Sequence, residues 1–370
     1  MNIAYLENAN AHSGVGSRAH EIAERFSGVS LDRIMLDSHT ISLNGHVVLE
    51  KSPWPGFLGS KSIGWVRLKN QAQKISAGHD IVHATNQTLS FLLPSGAPSV
   101  VTVHDLIEYT HPQSVGAGVI NRYLLSGISR ASHIIAVSEY TKAQLITVFG
   151  ISSDNITVIP NAVSADFYPL EDSLIHTVRE EYGIKADTKV ILTVGSDHPR
   201  KNIATALRAF AKNSSSDVVF IKAGSPGVAG GKESFLSLAE NLGVLDKVMY
   251  LGEVSKNRLR ELYNLADVFV FPSLHEGFGM PVLEAMACNT PVIASRSESL
   301  PEVIGGAGIL HEAMDVQGFA KSIVSVLGDS SLSDNLIKLG RERLSHFSWD
   351  VSAERELEVY EKILHDMPIV

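Results

Sequence analysis

Residues 275–295 read HEGFGMPVLEAMACNTPVIAS, with Glu276 and Glu284 on either side of seven residues that include two glycines and a proline. The preceding segment, DVFVFPS at 267–273, is short and apolar, which is typical of a buried strand. Pro281 suits the first position of a helix, where its missing N–H costs nothing. The pattern therefore predicts a strand, a glycine-rich turn and a helix that carries Glu284 in its first turn or so.

The turn Gly277-Phe278-Gly279 has the properties of a phosphate site. Glycines permit positive φ and let a ligand approach the backbone closely, and the free N–H groups at a helix start attract anions. A phosphate there would repel both carboxylates, so we expect these to accept hydrogen bonds from hydroxyl groups on either side of it. A nucleotide sugar has this order of groups: sugar, diphosphate, ribose. The alternative is that Glu284 only stabilises a helix N-terminus and that Glu276 is a solvated loop acid.

Short apolar runs alternate with helical patterns along the rest of the chain. The predicted strands are IAYLE (3–7), DIVHA (80–84), SVVTVH (99–104), HIIAVS (133–138), KVILTVG (189–195), VVFIKAG (218–224), KVMYLG (247–252), DVFVFPS (267–273) and PVIAS (291–295). The predicted helices include 17–26, 141–149 and 257–266, with a helical region from 315 onward. This alternation favours an α/β fold with parallel sheets, and the continuous apolar runs favour strands buried on both faces.

The length of the chain predicts two domains, because 370 residues exceed one ordinary hydrophobic core. Residues 158–170 contain two prolines and no clear periodicity, so we place the boundary there. The prediction is an N-terminal domain over 1–165 and a C-terminal domain over 170–349, both doubly wound. In such sheets, ligands bind beyond the carboxyl ends of the strands.

Composition narrows the class of protein. A net charge of −9 argues against nucleic acid as the main partner, since phosphate binding needs a basic surface. Cys288 is the only cysteine, so a disulfide within the chain is impossible, which fits a reducing cytoplasm. The sequence has no apolar stretch of about 18 residues, and its start does not look like a signal peptide. We therefore expect a cytoplasmic protein.

The string LYNLADVFVFPSLHEGFGMPVLEAMACNTPVIAS (262–295), followed by PEV at 301–303, resembles the E-x7-E motif of the retaining family 4 glycosyltransferases, within the glycosyl transferases group 1. The resemblance covers nearly the whole chain and is strongest over 190–310. It implies the GT-B fold, in which two Rossmann-like domains face each other across a cleft. It also implies that a C-terminal helix, at about 350–370, crosses back to the N-terminal domain.

The resemblance implies that Glu276 contacts hydroxyls of the donor sugar and that Glu284 holds the ribose. In the loop TVGSDHPRKN, Lys201 matches the lysine that neutralises the donor diphosphate. Ser196 stands where the family usually has an arginine, and Arg200 is the candidate to replace it. Cations there would stabilise the charge that a leaving nucleoside diphosphate gains. The alternative for Arg200 and Lys201 is a solvated charge pair before a helix.

Two segments nearer the N-terminus also match the family. Gly14 and Gly16 open a helix after the first strand, and the resemblance implies a glycine-rich loop there that faces the donor phosphates and the acceptor. A tight turn without a ligand is the alternative. His104 ends a strand in VTVHDLIEYTHP and matches a motif whose histidine lies near the reacting carbon, with Asp105 as its support. A hydrogen-bonded structural histidine is the alternative.

The family retains anomeric configuration, for which front-face attack with an ion-pair-like intermediate is the usual proposal. The sequence contains no Asp-x-Asp pair of the kind that holds a divalent cation in glycosyltransferases of the other main fold. We therefore predict metal-independent chemistry without a cofactor, in which Lys201 and the helix N-terminus stabilise the leaving group.

The segment 51–79 has five basic residues and no acid, and it contains Trp54, Phe57 and Trp65. Family members that act on lipid-linked acceptors often dock on membranes through the N-terminal domain, and a basic aromatic patch would suit that contact. The alternative is an ordinary surface helix with Trp65 and Leu68 in the core. Peripheral contact with the inner face of the membrane is therefore a hypothesis.

The combined prediction is a hexosyltransferase that moves mannose from GDP-mannose to a glycan or lipid-linked acceptor in polysaccharide or cell-envelope biosynthesis. UDP-glucose, UDP-galactose or UDP-N-acetylglucosamine would fit the same motifs. A nucleotide-sugar 2-epimerase shares the fold but lacks the E-x7-E string, and a Rossmann dehydrogenase needs a G-x-G-x-x-G that is absent after the first strand. A non-catalytic nucleotide-sugar binder stays open because of Ser196.

Overall fold

The chain divides into two compact units in its computed structural model. The structure describes residues 1–8, 14–36, 40–44, 46–50, 69–70, 72–74, 76–112, 114–213 and 217–366. Unit 1 comprises Met1–Asn161 and Trp349–Val370, and unit 2 comprises Ala162–Ser348. The last helix of the chain therefore belongs to the same unit as the N-terminal segment.

Unit 1, in its described residues, is built on an eight-stranded sheet. The strands are β1 (Asn2–Asn8), β2 (Ser30–Leu36), β3 (Thr40–Leu43), β4 (His46–Glu50), β5 (Ile81–Ala84), β6 (Ser99–Val103), β7 (His133–Ala136) and β8 (Ile156–Val158). Their order is β4-β3-β2-β1-β5-β6-β7-β8. Neighbours pair in parallel, except that β3 is antiparallel to both β2 and β4. All residues of β5, β6 and β7 are buried, as expected for strands covered on both faces.

Four of the helices described in unit 1 lie between these strands in the chain. They are α1 (Gly14–Ala23), α2 (Ile107–Thr110), α3 (Val115–Leu124) and α4 (Glu139–Phe149). The sequence shows why α4 begins and ends where it does. The Ser138 hydroxyl accepts a hydrogen bond from the Thr141 N–H at 3.1 Å, and Gly150 ends the helix in the left-handed region at φ 66°.

Unit 2 is built on a six-stranded sheet in which every neighbouring pair is parallel. The strands are β9 (Lys189–Val194), β10 (Val218–Ala223), β11 (Val248–Gly252), β12 (Val268–Phe271), β13 (Val292–Ser295) and β14 (Ile309–His311). Their order, among the residues described, is β11-β10-β9-β12-β13-β14. Parallel neighbours need a long crossover connection, which is usually a helix, and this accounts for the alternation of strand and helix.

Eight helices are described in unit 2, and several of them contribute apolar side chains to the core around this sheet. They are α5 (Asp172–Glu181), α6 (Ile203–Ala211), α7 (Gly231–Asn241), α8 (Lys256–Leu265), α9 (Met280–Ala287), α10 (Leu300–Ile304), α11 (Val316–Gly328) and α12 (Ser330–Leu344). Phe210 on α6, Phe220 on β10 and Phe319 on α11 are fully buried in one core cluster. Burying an aromatic side chain of this size contributes roughly 2–3 kcal/mol.

The predicted α/β fold with parallel sheets is confirmed, and each of the predicted strands is present. Five further strands were not predicted: β2, β3, β4, β8 and β14. In β2 only Ile34 and Leu36 are buried, and charged residues interrupt its apolar pattern. The strands β8 and β14 have three residues each, too few to show a periodicity. The helix α1 begins at Gly14, three residues before the predicted start.

The last helix, α13 (Trp349–His365), is held to unit 1 by a buried polar cluster. Arg18 on α1 donates from Nη2 to Glu356 Oε2 at 3.0 Å, and both side chains are almost completely inaccessible. Oε1 of Glu356 accepts from the hydroxyls of Tyr5, at 3.1 Å, and Tyr360, at 2.8 Å. These bonds connect α1 and α13 to β1. Breaking them would leave a buried charge without a partner, which is costly, so the three elements stay together.

The cluster keeps Glu356 ionised. Burial raises the pKa of this carboxyl, but His83 and Arg18 outweigh burial and lower it to about 2. The ordinary value for an exposed glutamate is 4.5. Because the folded-state pKa is depressed, this carboxylate contributes stability above about pH 4.5 that is lost as the pH falls toward about 2.

We expect Glu356→Gln to destabilise the protein by about 3 kcal/mol near neutral pH, because it leaves the buried Arg18 guanidinium without a counter-charge. Thermal unfolding should show that the difference in Tm from wild type shrinks between about pH 6 and about pH 3. The control is Glu342→Gln at the exposed Lys338–Glu342 pair, which should change stability by less than about 0.5 kcal/mol. A difference in Tm that does not vary with pH would contradict the lowered pKa.

Candidate active site

The loop between β12 and α9 lies beyond the carboxyl end of a parallel strand, where ligands bind in doubly wound sheets. Its Glu276 is 7% exposed. Oε1 of this carboxylate accepts hydrogen bonds from the Lys201 ammonium, at 2.5 Å, and the Ser273 hydroxyl, at 2.7 Å. Arg200 adds a second cation, with Nη1 3.7 Å from Oε2. The structure thus brings together one carboxylate and two cations that sequence analysis took from separate segments.

The basic loop after β9 is fastened to the loop after β12 through backbone groups. Asn202 adopts a left-handed φ of 49° and donates from Nδ2 to the Pro272 carbonyl at 3.0 Å. The Leu274 N–H donates to the Arg200 carbonyl at 2.7 Å. In turn, Arg200 donates from Nη1 to the His275 carbonyl at 3.1 Å. These bonds fix the two loops against each other, so the cations keep their place beside the carboxylate.

A buried lysine supports the start of the basic loop. Lys222 has no exposed side-chain surface, and its Nζ lies 2.8 Å from Asp197 Oδ1. The Tyr250 hydroxyl donates to Asp197 Oδ2 at 2.5 Å. Burial lowers the pKa of the Lys222 ammonium, and the Asp197 carboxylate opposes that shift. This cluster therefore fixes Asp197, which lies in the same loop as Arg200, three residues earlier in the sequence.

The surroundings of Glu276 keep it ionised. Burial raises the pKa of its carboxyl, but the positive charges of Lys201 and Arg200 outweigh burial, and the pKa is lowered. The hydrogen bond from Ser273 acts in the same direction. A carboxylate has about four acceptor positions, so Glu276 can accept further hydrogen bonds from hydroxyl groups of a ligand.

Glu284 has the opposite environment. It is the fifth residue of α9, which begins at Met280, one residue before Pro281, so it lies just past the first helical turn, close to the predicted place. The hydroxyl of the fully buried Tyr263 donates to Glu284 Oε2 at 2.9 Å. Burial raises the pKa of Glu284 to about 7, because the opposing effects of the Tyr263 hydrogen bond and of the Lys256 and Lys201 charges are too small to offset burial.

We expect the Tm of Glu284→Gln, taken relative to that of wild type, to be higher at about pH 8 than at about pH 5. The folded-state pKa is raised above the ordinary 4.5, so ionising Glu284 costs stability as the pH rises through about 7. Glutamine avoids that cost and still accepts from Tyr263. Thermal unfolding at both pH values measures the change, with the exposed Glu240→Gln as the control. The same difference at both pH values would show that the pKa is not raised.

The turn before α9 requires glycine at one position. Gly279 caps the helix with a φ of 102°, and a Cβ added there would lie 2.6 Å from Leu300 Cδ2. Both the left-handed backbone and the close contact exclude a side chain. Gly277 and Phe278 are buried in the same turn. The Phe278 ring packs edge-on against Phe347, with 5.7 Å between ring centroids.

We expect Gly279→Ala to lower stability by about 2 kcal/mol or more, as measured by urea unfolding. The left-handed backbone alone costs an alanine roughly 1–2 kcal/mol, and the overlap with Leu300 adds to it. Gly243→Ala is the matched control, because Gly243 has a φ of 68° and nothing within 4 Å of an added Cβ. Equal losses at the two glycines would contradict the steric role of Leu300.

The predicted site residues of unit 1 lie at two places. Gly14 and Gly16 are the first and third residues of α1, and His104 follows β6 directly. His104 Nε2 lies 3.0 Å from the Thr85 carbonyl, and since a carbonyl only accepts, Nε2 carries the proton. Burial, with a smaller effect of Arg18, lowers the pKa of His104 to about 4. The ring is therefore neutral near pH 7, with Nδ1 as an acceptor.

Three residues that shape the environment of the two glutamates were not predicted from the sequence: Tyr263, Ser273 and Glu298. The first two lie inside the 262–295 string, but nothing in their spacing marks them as partners of a carboxylate. Glu298 accepts from the Glu276 N–H at 2.6 Å across 22 positions of sequence. No local pattern could have found this contact, because it depends on which loops the sheet brings together.

The basic aromatic stretch 51–79 lies largely outside the described residues, so its predicted membrane contact stays a hypothesis. Of its described part, Ala72 is buried in the core cluster of unit 1. No helix in the described part of the chain is long and apolar enough to cross a membrane. The described residues contain no group of three or more His, Cys, Asp or Glu side chains that could hold a metal ion.

Two family models match the chain, one in each unit. Residues 175–343 match Glycosyl transferases group 1, and residues 13–167 match Glycosyltransferase Family 4. The chain is 30% identical over 267 residues to the O-antigen chain mannosyltransferase B of Escherichia coli, covering 71% of this chain and 70% of that protein. The chain belongs to the glycosyl transferases group 1 family and is a glycosyltransferase. Other, longer mannosyltransferases of E. coli are also similar, and the chain spans about a third of their length.

Solved structures show the fold. The sucrose-phosphate synthase of Thermosynechococcus elongatus is similar with a TM-score of 0.79 at 22% identity, over 99% of this chain and all of that one. The Anabaena protein HepE, solved in complex with UDP, is similar with a TM-score of 0.77 at 19% identity, over 98% of this chain and all of that one. The predicted GT-B class with two Rossmann-like units is confirmed.

Proposed function

We propose that this glycosyltransferase is a retaining hexosyltransferase that takes mannose from GDP-mannose. The observation that carries the proposal is the contrast between two carboxylates on either side of one glycine-rich turn. Glu276 is ionised beside Lys201 and Arg200, whereas Glu284 is bound to Tyr263 and has a raised pKa. Cations suit a diphosphate, and the two glutamates suit the hydroxyl groups of the sugar and the ribose.

The chemical step follows from where charge develops. When the glycosidic bond breaks, its electron pair stays on the phosphate oxygen, and the leaving diphosphate becomes more negative. Lys201 and Arg200 would bind that oxygen more strongly in the transition state than before it. For retention, the acceptor hydroxyl adds to the face that the diphosphate leaves, and the departing phosphate oxygen takes its proton. This step uses no metal ion and no cofactor besides the donor.

Residues of unit 1 take supporting roles in the proposal. We assign the backbone of Gly14 and Gly16 to the donor phosphates, since both lie at the start of α1, where N–H groups attract anions. We assign His104 to the reacting carbon, where its neutral Nδ1 would accept a hydrogen bond from a hydroxyl group. The backbone of Gly277, Phe278 and Gly279 is assigned to the donor as well.

The choice of donor and acceptor rests on the relatives. The names of the mannosyltransferase relatives support a mannose donor, and the name of the O-antigen enzyme supports a glycan or lipid-linked acceptor in cell-envelope polysaccharide synthesis. The complex of HepE with UDP supports a UDP-sugar as the second candidate donor. The single cysteine is in keeping with a cytoplasmic location, where nucleotide sugars are made.

The proposal is tested by calorimetric binding of GDP and UDP, without metal, to wild type and to Glu284→Ala. We expect GDP to bind more tightly than UDP, and we expect Glu284→Ala to weaken GDP binding about tenfold, because a hydrogen bond to a charged group contributes roughly 1.5–3 kcal/mol. Glu240→Ala, at an exposed position of unit 2, should leave binding unchanged.

Each outcome of this titration has a distinct meaning. A preference for UDP would keep the fold and the site but replace the donor with a UDP-sugar. Binding of neither nucleotide would favour a non-catalytic homologue that no longer uses a nucleotide-sugar donor. Ser196, which stands at the usual arginine position, is the reason to consider this alternative. An unchanged affinity in Glu284→Ala would remove the ribose role of Glu284.

A further inference from the structure

Two consecutive residues of another loop hold the peptide groups of Glu276 on both sides. Glu298 and Ser299 follow β13, which is the neighbour of β12 in the sheet. The Glu276 N–H donates to Glu298 Oε2 at 2.6 Å, and the buried Ser299 hydroxyl donates to the Glu276 carbonyl at 2.7 Å. A loop residue has no helix or strand ladder to satisfy its peptide groups, so these side chains supply both bonds.

The second oxygen of the Glu298 carboxylate holds the preceding residue. Glu298 Oε1 lies 2.8 Å from His275 Nδ1. A carboxylate only accepts, so His275 Nδ1 carries a proton in this contact. Arg200 bonds to the carbonyl of the same residue. The Glu298 carboxylate therefore holds two consecutive residues, His275 through its side chain and Glu276 through its N–H.

The backbone of Glu298 is strained in the same place. Its φ of 51° lies in the left-handed region, which residues other than glycine and asparagine rarely adopt. Such a conformation persists where the surrounding contacts determine it, and strained residues of this kind cluster at functional sites. Here the contacts include the two bonds of the carboxylate. The combination indicates that the position of the Glu298 carboxylate matters to the site.

We propose that Glu298 and Ser299 are positioning residues for Glu276. They fix its peptide so that the carboxylate points at the hydroxyl groups of the donor sugar, and neither of them touches the donor. The inference rests on the proposed function, because that proposal assigns Glu276 to the sugar. Loss of Glu298 should therefore weaken recognition of the sugar while recognition of the nucleotide, which is assigned to Glu284, is retained.

The test is the ratio of affinity for GDP-mannose to affinity for GDP, measured by calorimetry on the full-length protein. If the wild type prefers UDP, the probes are UDP-glucose and UDP. In Glu298→Ala we expect affinity for the nucleoside diphosphate to stay within about twofold and the ratio to fall about tenfold. Glu276→Ala should give the same fall in the ratio, and the double variant should fall no further, because both changes remove one function.

Two other substitutions at this position separate positioning from folding. Glu298→Gln should keep the ratio within about threefold, since the amide oxygen accepts from the Glu276 N–H and the amide nitrogen can donate to the other tautomer of His275. Glu298→Gly relieves the left-handed strain while it removes the carboxylate, so its Tm should be retained while the ratio falls. This variant gives the answer even if the alanine variant folds poorly.

Failure of the inference and failure of the proposed function look different. If Glu276→Ala lowers the ratio while Glu298→Ala and Glu298→Gly do not, the positioning role is wrong and the proposed function stands. If Glu276→Ala leaves the ratio unchanged, its role at the sugar is wrong, and the inference about Glu298 falls with it. Loss of affinity for GDP and GDP-mannose by equal factors in Glu298→Gly would also overturn the inference, since it would show a general disturbance of the site.

Discussion

One residue, Glu276, connects the loops that follow three neighbouring strands at the candidate donor site of unit 2. Three parallel strands that are neighbours in the sheet, β9, β12 and β13, each end at the same edge, and the loops that follow them carry Lys201, Ser273 and Glu298. All three of these side chains bond to Glu276, two through its carboxylate and one through its N–H. Because parallel strands place their carboxyl ends together, residues far apart in sequence can meet around a single charge.

The two glutamates of the E-x7-E string show how one fold gives similar groups different properties. Glu276 is buried beside two cations, which lower its pKa, whereas Glu284 is bound to a tyrosine hydroxyl and its burial raises the pKa to about 7. An ionised acceptor next to cations and a second acceptor without them suit a ligand with a charged centre flanked by hydroxyl groups. The chemistry thus depends on neighbours that the motif itself does not contain.

Unit 1 depends on a different buried charge. The ion pair between Arg18 and Glu356 joins two residues that are 338 positions apart in the sequence. It connects the helix that begins at Gly14 with α13. Arg18 also donates to the carbonyl of Pro160, and the Ser352 hydroxyl donates to the same oxygen. The segment that leaves unit 1 and the helix that returns to it are therefore fastened at one point, through groups that cannot lose their partners without a large cost in stability.

The sequence by itself determined the α/β class, the strands whose residues are continuously apolar, the glycine-rich turn before α9 and the family, because each leaves a local or contiguous pattern. Only the tertiary structure decided that Lys201 faces Glu276, that Tyr263 faces Glu284 and that a strained Glu298 holds the loop. It also decided strands that were not predicted, such as β2, β8 and β14, whose short or partly exposed segments carry little periodicity. The physical reason is distance along the chain: these contacts join positions 21 to 75 residues apart, and only the order and register of the parallel sheet bring them together.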